Sequence, residues 1–394
     1  MSGAVVAFVG ENENGILRHL SHGLMGLLQP FGYDPHVIEL GDPAWPHKLD
    51  ALVEQGIAMA WGHAGVGARL EIKGQNFWEL VKVPFVSVLA DPPCWRPCNH
   101  AVASRYVVNA YLYPEWLRVQ QRFIRSAQVS ALVQGGLVPN PFRDRIPWRS
   151  RPRRMVLVKT GDDPVARRTA WATLPQRMRA VLEDAAAVAA GQGTGDVTEI
   201  VLDAMAAHHV TYDGRTDILF GLMAELDRYV RDTRSTALVS ALLDLPVDIY
   251  GRGWDHVSHR STRARFHPAF DAAGLPEAYA ETQFVLNSTP NFASGVHERV
   301  AYGFDARCCV VSDQNAYMRT ALAGIPTFFA IDPGDAGVSE RLRAIYDDPA
   351  DYTDLAQPAL DLSADAFDGV RYMHSLLELA DEVRVGERFA NYRH

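Results

Sequence analysis

Residues 284–315 read FVLNSTPNFASGVHERVAYGFDARCCVVSDQN, and this stretch predicts the local fold of the second half of the chain. Two short apolar runs, Phe284–Leu286 and Cys308–Val311, have the length and the β-rich composition of buried strands. Between them, a Gly-led loop opens a predicted helix that begins at Val296. The free backbone N–H groups and the positive dipole end of a helix start can hold a diphosphate when a cation lies nearby. The stretch therefore predicts an anion site between two strands.

Polar residues and glycines follow the predicted strands of this half, where a parallel sheet delivers side chains to a binding site. Arginine and lysine suit phosphate groups, glutamate suits the hydroxyl pair of a ribose, and glycine lets a ligand approach the backbone. The candidate nucleotide-binding residues are Lys159, Gly251, Arg252, Gly253, Trp254, Asn287, Ser288, Gly295, His297, Glu298, Arg299, Asp313 and Asn315. Each position alone also fits a structural role, such as a tight turn, a core tryptophan or a capped helix with a surface ion pair.

Strands and helices alternate in the first 150 residues, which predicts a parallel sheet with helices on both faces. The predicted strands are Val5–Val9, Pro35–Leu40, Ile57–Trp61 and Pro84–Leu89. The loop after the first strand, GENENG at 10–15, lacks the glycine pattern of dinucleotide-binding dehydrogenases. His63 and Asp91 each follow a strand and are candidate general bases toward an acceptor hydroxyl, although a structural role fits each of them as well.

The chain has 394 residues, enough for two domains, and 48% of them are hydrophobic. Its net charge of −9 argues against nucleic-acid binding, and no apolar run reaches the roughly 18 residues of a membrane span. Cys94 and Cys98 have a metal-like spacing near His100, but no second ligand pair follows, so we expect free thiols. These features predict a cytoplasmic protein with no metal, no nucleic-acid partner and no integral membrane segment.

Changes in composition along the chain predict its domain organisation. Residues 135–154 are rich in proline and arginine and form a predicted linker, so the first domain is expected to span 1–150 and the second 151–375. Residues 171–243 form a long predicted helical segment within the second domain. This segment fits either a partner- or acceptor-binding role or a simple insertion. A last helix is expected over 376–394.

Four motifs of the second half occur in a recognisable order: YGRGW at Tyr250–Trp254, a strand ending at Leu286–Asn287, GVHERV at Gly295–Val300 and VVSD at Val310–Asp313. In this order they resemble group 1-type glycosyltransferases of the GT-B fold. The branch they resemble most is the one similar to spore-maturation-protein glycosyltransferases. The resemblance covers roughly Arg151 to the C-terminus, whereas the first domain is similar only in its general layout.

The resemblance implies an α/β protein with two Rossmann-like domains whose parallel sheets face a central cleft, plus the helical insertion. The second domain would bind a nucleotide-sugar donor, such as a UDP- or GDP-sugar, and the first would bind a glycan or protein acceptor. Catalysis would need no metal and no further cofactor, because helix dipoles and basic side chains such as Arg299 neutralise the departing diphosphate. His297 would donate to a phosphate or a sugar hydroxyl. The last helix would pack back on the first domain.

This chain departs from the resembled family at two positions. Tyr302 stands where the relatives often carry a second glutamate, and Arg307 stands where they have a glycine. Because that glutamate commonly holds the ribose or the sugar of the donor, either Glu298 takes over the contact or the donor binds differently. The expected activity is metal-independent sugar transfer from a nucleotide sugar to an acceptor hydroxyl. A non-catalytic binding or assembly protein of the same fold and a nucleotide-sugar epimerase are the alternatives.

Overall fold

The computed structural model describes residues 3–11, 14–124, 128–192 and 195–391. Across these ranges, no helix is both long enough and apolar enough to cross a membrane. All four cysteines are free thiols, as predicted. Cys98 is exposed, whereas Cys94, Cys308 and Cys309 are buried.

The chain forms two compact units. Unit 1 comprises Met1–Pro139 and Asp365–His394, and unit 2 comprises Asn140–Ala364. The chain therefore passes from unit 1 to unit 2 after Pro139 and returns to unit 1 after Ala364. Both positions lie earlier in the chain than the predicted boundaries at 150–151 and 375–376. The first difference has a physical reason, since the turn-rich segment after residue 139 bonds to unit 2. The backbone of Asn140 donates to Asp305, and the Arg151 guanidinium donates to the carbonyl of Ala306 at 2.8 Å.

Unit 1 is built on a parallel sheet. The strands of its first segment are β1 (Ala4–Val9), β2 (Asp34–Glu39), β3 (Ile57–His63), β4 (Glu71–Ile72), β5 (Gln75–Asn76), β6 (Phe85–Leu89), β7 (Val107–Tyr111) and β8 (Ser130–Leu132). Six of them form the parallel sheet in the order β2-β1-β3-β6-β7-β8, while β4 and β5 form a small antiparallel hairpin. The predicted parallel sheet is confirmed, but β7 and β8 were missed because buried Asn109 interrupts the apolar run of β7 and β8 has only three residues.

The helices of this segment cover both faces of the sheet, as predicted. They are α1 (Ile16–Gly26), α2 (Trp45–Gln55), α3 (Phe77–Val81) and α4 (Pro114–Phe123), with 3-10 turns at Gln29–Phe31 and Pro97–His100. Alternation along β1 places Val6 and Phe8 in one core and Val5 and Ala7 in the other. The helix α3 begins where it does because the Asn76 side chain accepts hydrogen bonds from the first-turn N–H groups.

Unit 2 is built on a second parallel sheet of six strands. These are β9 (Met155–Val158), β10 (Val247–Tyr250), β11 (Arg265–His267), β12 (Phe284–Asn287), β13 (Cys309–Ser312) and β14 (Phe328–Ala330). Their order is β11-β10-β9-β12-β13-β14, so the direction of strand succession reverses between β9 and β12. Such a reversal, the topological switch point, leaves a crevice outside the carboxyl ends of the two strands. The sequence missed β11, which has three residues and begins with an exposed arginine.

Ten helices belong to the described part of unit 2 or end at its border. They are α5 (Pro164–Ala170), α6 (Gln176–Gln192), α7 (Thr198–Ala207), α8 (Thr216–Leu242), α9 (Asp255–Ser258), α10 (Leu275–Ala280), α11 (Glu298–Asp305), α12 (Ala316–Ala321), α13 (Val338–Asp347) and α14 (Gln357–Ala366). Short 3-10 turns lie at Trp148–Ser150, Trp171–Thr173, Ala272–Gly274 and Asp354–Ala356. The long predicted helical segment 171–243 therefore contains three α-helices. Its last helix is part of the domain core, because Leu238, Val239 and Leu242 pack with the apolar residues of the sheet.

The segment between α13 and α14 forms no α-helix, only the 3-10 turn at Asp354–Ala356. Side-chain carboxylates in this segment accept hydrogen bonds from backbone N–H groups two residues ahead, Asp348 from Ala350 and Asp351 from Thr353. Such local bonds compete with helix formation, so regular helix resumes only after Asp354–Ala356.

The last helix, α15, spans Gly369–Asn391 and belongs to unit 1. Met373, Leu376 and Ala380 pack in the core that also contains Val5 and Trp61. The chain returns to unit 1 through a parallel bridge between Leu137 and Asp368. Residues 392–394, at the end of the last helix expected over 376–394, lie outside the described residues.

Candidate functional site

The carboxyl ends of β9, β12 and β13 carry the polar residues that the sequence singled out in unit 2. Lys159 directly follows β9, Asn287 ends β12, and Asp313 directly follows β13. Because β9 and β12 flank the reversal of strand order, Lys159 and Asn287 lie at the switch point of this sheet. Residues that are far apart in sequence therefore lie at the same edge of the unit 2 sheet, beside the crevice.

Lys159 is a partly buried cation surrounded by other cations. Burial lowers the pKa of its ammonium group to about 7, and the charges of Arg299 and Arg231 contribute to the shift. Within the described part of the chain, no carboxylate forms an ion pair with it. Asp232 and Asp313 act on it only through weaker, longer-range attraction. The position therefore lacks a negative charge that would stabilise the ammonium form.

Arg299 reaches back from the first turn of α11 to the end of β12. Its Nη1 donates to Oδ1 of Asn287 at 2.9 Å, and the amide of Asn287 donates in turn to Oγ of Ser312 at 2.9 Å. Asn287 and Ser312 are completely buried, so this chain of hydrogen bonds orients the guanidinium firmly. No ion pair to a carboxylate joins Arg299 to any described residue.

His297 caps the amino end of α11 and is held neutral. Its Nδ1 accepts the backbone N–H of Arg299 at 3.3 Å, which places the proton of the neutral ring on Nε2, 3.0 Å from Oε2 of Glu298. Burial lowers the pKa of His297 well below its usual value, and the cations Arg299, Lys159 and Arg231 lower it further. The helix start therefore presents a neutral imidazole N–H beside the two cations.

Buried polar contacts hold the loop between β12 and α11 in place. Oδ1 of Asp313 accepts the backbone N–H of Thr289 at 2.6 Å, and burial raises the pKa of this carboxyl. The Asn315 side chain caps α12 by accepting from Met318 at 2.9 Å. The same side chain donates to the carbonyl of Gly295 at 3.0 Å. Asp313 and Asn315 therefore shape the loop, while Ser288 is buried beside it.

Two further cations come from α8, and the sequence analysis missed them. Arg234 donates through Nη2 to the carbonyl of Thr289 at 2.9 Å, and its Nε lies 4.0 Å from Oδ2 of Asp313. Arg231, one turn earlier, pairs through Nε with Asp227 at 2.9 Å. The missed signal is the spacing, since positions 227, 231 and 234 lie on one helical face and are almost fully buried there.

The turn after β10 packs tightly on the loop after β9. A Cβ atom at Gly251 would lie 2.2 Å from the carbonyl oxygen of Lys159, and one at Gly253 would lie 2.1 Å from that of Gly161. Trp254 is 3% exposed, packs in the core and donates through Nε1 to the Lys159 carbonyl at 2.9 Å. These positions favour the structural alternative for Gly251, Gly253 and Trp254, because their contacts support the Lys159 loop. The Arg252 side chain is exposed.

His63 of unit 1 ends β3, next to the reversal of strand order between β1 and β3. Its Nε2 is buried and makes no hydrogen bond to a described residue, and burial lowers its pKa to about 4. The ring packs edge-on against Trp61, with centroids 5.0 Å apart. Asp91 is exposed in the loop after β6. Asn12 and Glu13, in the loop after β1, lie outside the described residues.

The described part of the chain has no cluster of three or more His, Cys, Asp or Glu side chains able to hold a metal ion. The adjacent acids Asp162 and Asp163 after β9 have structural contacts. Asp163 caps α5 by accepting from Val165 at 2.8 Å. Asp162 pairs with Arg167.

Comparison with known proteins adds to this geometry. No protein-family model matches this chain, and neither does any curated protein sequence. An α-glucosyltransferase in complex with UDP and a DNA 13-mer has a TM-score of 0.59 at 8% identity, covering 97% of this chain and 100% of its own. HepE from Anabaena in complex with UDP-glucose has a TM-score of 0.53 at 11% identity, covering 96% and 99%. Sucrose-phosphate synthase from Thermosynechococcus elongatus has a TM-score of 0.50 at 11% identity, covering 98% and 100%.

These structures share the GT-B glycosyltransferase fold with the chain over nearly its full length. The predicted α/β fold with two Rossmann-like parallel sheets is confirmed. At 8 to 11% identity the likeness is one of fold, so the reaction has to be argued from the residues of the site itself.

Proposed function

We propose that this protein is a glycosyltransferase that moves a sugar from a nucleotide-sugar donor to an acceptor hydroxyl. One observation carries the proposal: Lys159 and the Asn287-bound Arg299 both lie at the switch point of unit 2, and neither has a carboxylate ion-pair partner in the described chain. Cations that are partly buried without a counter-charge are costly in a protein interior. The diphosphate of a nucleotide donor supplies the missing negative charge.

The chemistry of sugar transfer fits this charge arrangement. As the bond between the sugar and the nucleotide breaks, negative charge develops on the departing diphosphate. Preorganised cations and N–H groups aimed at that charge lower the barrier. Lys159, Arg299 and the first N–H groups of α11 would supply this stabilisation, and the neutral ring of His297 would donate a hydrogen bond from Nε2–H to a phosphate oxygen or a sugar hydroxyl. No step of this scheme requires a metal ion or a further cofactor.

The ribose would be held by the outward face of α11. Glu298, whose side chain is 44% exposed, would accept hydrogen bonds from the two ribose hydroxyls. Charge interactions link it to Tyr302 and Tyr279, whose hydroxyls are buried without a hydrogen-bond partner among the described residues. A buried hydroxyl without a partner costs free energy that a ribose hydroxyl would recover. Tyr302 would thus take the place of the glutamate common in relatives.

UDP-sugars are the first donors to test. HepE and the α-glucosyltransferase have UDP-glucose or UDP bound, and GDP-sugars are the second choice. Membership of the spore-maturation-protein-like branch and a cytoplasmic location are parts of the same proposal. The first is supported by the motifs of unit 2, and the second is supported by the four free cysteines.

The acceptor would be a glycan or a protein, bound at the carboxyl edge of the unit 1 sheet. His63 is the better candidate for the general base, because its buried Nε2 lacks a hydrogen-bond partner among described residues and its low pKa keeps the ring neutral. Asp91 is the second candidate. The α-glucosyltransferase was solved with DNA, but the net charge of −9 on this chain disfavours a nucleic-acid acceptor.

A non-catalytic binding protein of the same fold is the second candidate function. The observation in its favour is Tyr302, since the loss of the usual glutamate is compatible with a site that binds a nucleotide without transferring a sugar. A nucleotide-sugar epimerase would be recognised by turnover of a UDP-sugar without any acceptor.

The test combines a binding panel with an activity measurement. A thermal-shift panel of UDP, GDP, ADP and their sugars identifies the donor, because a ligand that binds only the native state raises the melting temperature. The wild-type protein should then hydrolyse or transfer the sugar of that donor, and Arg299→Ala should lower the rate by about 100-fold or more. Binding without turnover in the presence of candidate acceptors would favour the binding protein. No thermal shift with any nucleotide would overturn the proposal.

A further inference from the structure

The helical segment that precedes β10 contributes to the same crevice as Lys159 and Arg299. Asp227, Arg231 and Arg234 succeed each other at helical spacings of four and three, so they share one face of α8. That face lies on the loop after β12, because Arg234 donates to the Thr289 carbonyl and Asn291 donates to the Asp227 carbonyl, both at 2.9 Å.

Arg231 stands between these two anchoring contacts. Its side chain is only 14% exposed, and its charge reaches both Lys159 and His297. Three cations, on the loop after β9, on α8 and on α11, therefore influence one another electrostatically at the carboxyl edge of this sheet. The sequence motifs identified only two of these cations, Lys159 and Arg299.

The carboxylates near these cations are already engaged. Asp227 pairs with Arg231 and also accepts from Asn291 at 3.0 Å. Asp232 accepts from Nε of Arg167 at 2.7 Å, and Asp313 accepts from Thr289 at 2.6 Å. Lys159 and Arg299 have no carboxylate ion-pair partner among the described residues, so a diphosphate bound beside α8 would supply them with a counter-charge.

We infer that Arg231 of α8 is a third diphosphate-binding residue, which acts together with Lys159 and Arg299, and that Arg234 positions the loop after β12 for it. This inference rests on the proposed function. With Arg231 in this role, the helical segment 164–242 forms one wall of the donor site. Three cations at the diphosphate also predict that the protein binds nucleoside diphosphates much more tightly than monophosphates.

The roles of the two arginines differ because their surroundings differ. Arg234 is tied to Thr289, Asn291 and Asp313, so its guanidinium is committed to the protein. Arg231 pairs with Asp227 on its own helix, and its charge also acts on Lys159 and His297. Arg167, which pairs with Asp162 and Asp232, links the Lys159 loop to α8 and keeps the two cation-bearing elements together.

The experiment measures nucleotide affinity by titration calorimetry for the wild type, Arg231→Met and the control Arg228→Met. Arg228 belongs to the same helix, but its side chain is 44% exposed and it neighbours Glu225. The probe is whichever of UDP, GDP or ADP gives the largest thermal shift, together with its monophosphate. We expect Arg231→Met to weaken diphosphate binding by roughly 10- to 100-fold, to weaken monophosphate binding less, and thus to reduce the diphosphate preference. Arg228→Met should bind like the wild type.

Each other outcome has a defined meaning. Wild-type protein that binds no nucleotide contradicts the proposed function itself. Wild-type binding with an equal affinity in Arg231→Met and Arg228→Met overturns the inference about α8 while leaving the proposed function standing. If Arg231→Met fails to fold because Asp227 is left unpaired, the double variant Asp227→Asn/Arg231→Met and the variant Arg231→Lys replace it. Unchanged diphosphate preference in the folded double variant would equally overturn the inference, whereas Arg231→Lys keeps the positive charge and should retain most of the preference.

Discussion

Lys159 illustrates at the residue scale how a partly buried cation opposes stability. Its ammonium group is partly buried among Arg299 and Arg231, and its pKa falls from the usual 10.5 to about 7. Burial of such a charge is unfavourable in the absence of an anion, and it becomes favourable when a diphosphate binds. The cluster therefore reduces the stability of the empty protein, and the proposed diphosphate would recover this cost on binding.

The substitution Lys159→Met should stabilise the empty protein, and more so at low pH. Below about pH 7 the lysine is protonated in both the folded and the unfolded states, and the full cost of burying its charge is present. Between pH 7 and 10.5 only the unfolded chain retains the proton, so the free energy of unfolding of the wild type rises with pH. We expect a gain of about 1–3 kcal/mol for Lys159→Met at pH 6 that shrinks toward pH 9.5.

Urea unfolding of both proteins at pH 6 and pH 9.5 measures this difference. A stability difference that is the same at the two pH values would show that the Lys159 ammonium is not destabilised in the folded protein.

The residues of the site were only partly predictable from sequence. Lys159, Asn287, His297 and Arg299 were found because each follows a predicted strand or opens a helix. Arg231 and Arg234 were missed because the stretch RYVRDTR at 228–234 has the composition of an ordinary solvated helical face. Only the packing of α8 on the loop after β12 shows that this face is buried. Trp254 is the opposite case. The sequence made this aromatic residue a candidate for the site, whereas the structure packs it in the core.

At the element scale, the turn after β10 and the loop after β9 act as one unit. Gly253 has a φ of 79°, and a Cβ atom there would lie 2.1 Å from the Gly161 carbonyl oxygen. The close contact leaves no room for any side chain. The two turns therefore depend on each other for the position of Lys159.

We predict that Gly253→Ala destabilises the protein by about 3 kcal/mol or more and weakens nucleotide binding. The cost combines a backbone conformation unfavourable to alanine with a steric clash against backbone. The matched control is Gly32→Ala, where φ is 78° but the added Cβ has no neighbour within 4 Å. Gly32→Ala should lower the free energy of unfolding by only about 1 kcal/mol, because it carries the cost of the backbone conformation without the steric clash.

Thermal and chemical unfolding of the two alanine variants separate these contributions. Equal losses in stability for Gly253→Ala and Gly32→Ala would mean that the two turns do not pack as described.

At the scale of the whole molecule, strand–helix alternation correctly predicted the parallel sheet of unit 1. In unit 2, the resemblance of the motifs to GT-B glycosyltransferases correctly predicted the overall fold. The short strands β8 and β11 escaped prediction because three residues carry too little periodicity to stand out. The positions at which the chain crosses between units also escaped it. They depend on tertiary hydrogen bonds such as that between Arg151 and Ala306, which no local pattern records.

The account as a whole depends on a diphosphate-binding centre in unit 2. Titration calorimetry of the best-binding nucleoside diphosphate with the wild type and with the double variant Lys159→Met/Arg299→Met tests it most directly. We predict clear binding by the wild type and a loss of about 100-fold or more in the folded double variant, since two charge-assisted contacts are removed. Equal affinity in the two proteins, or no binding by the wild type to any nucleoside diphosphate, would contradict the account.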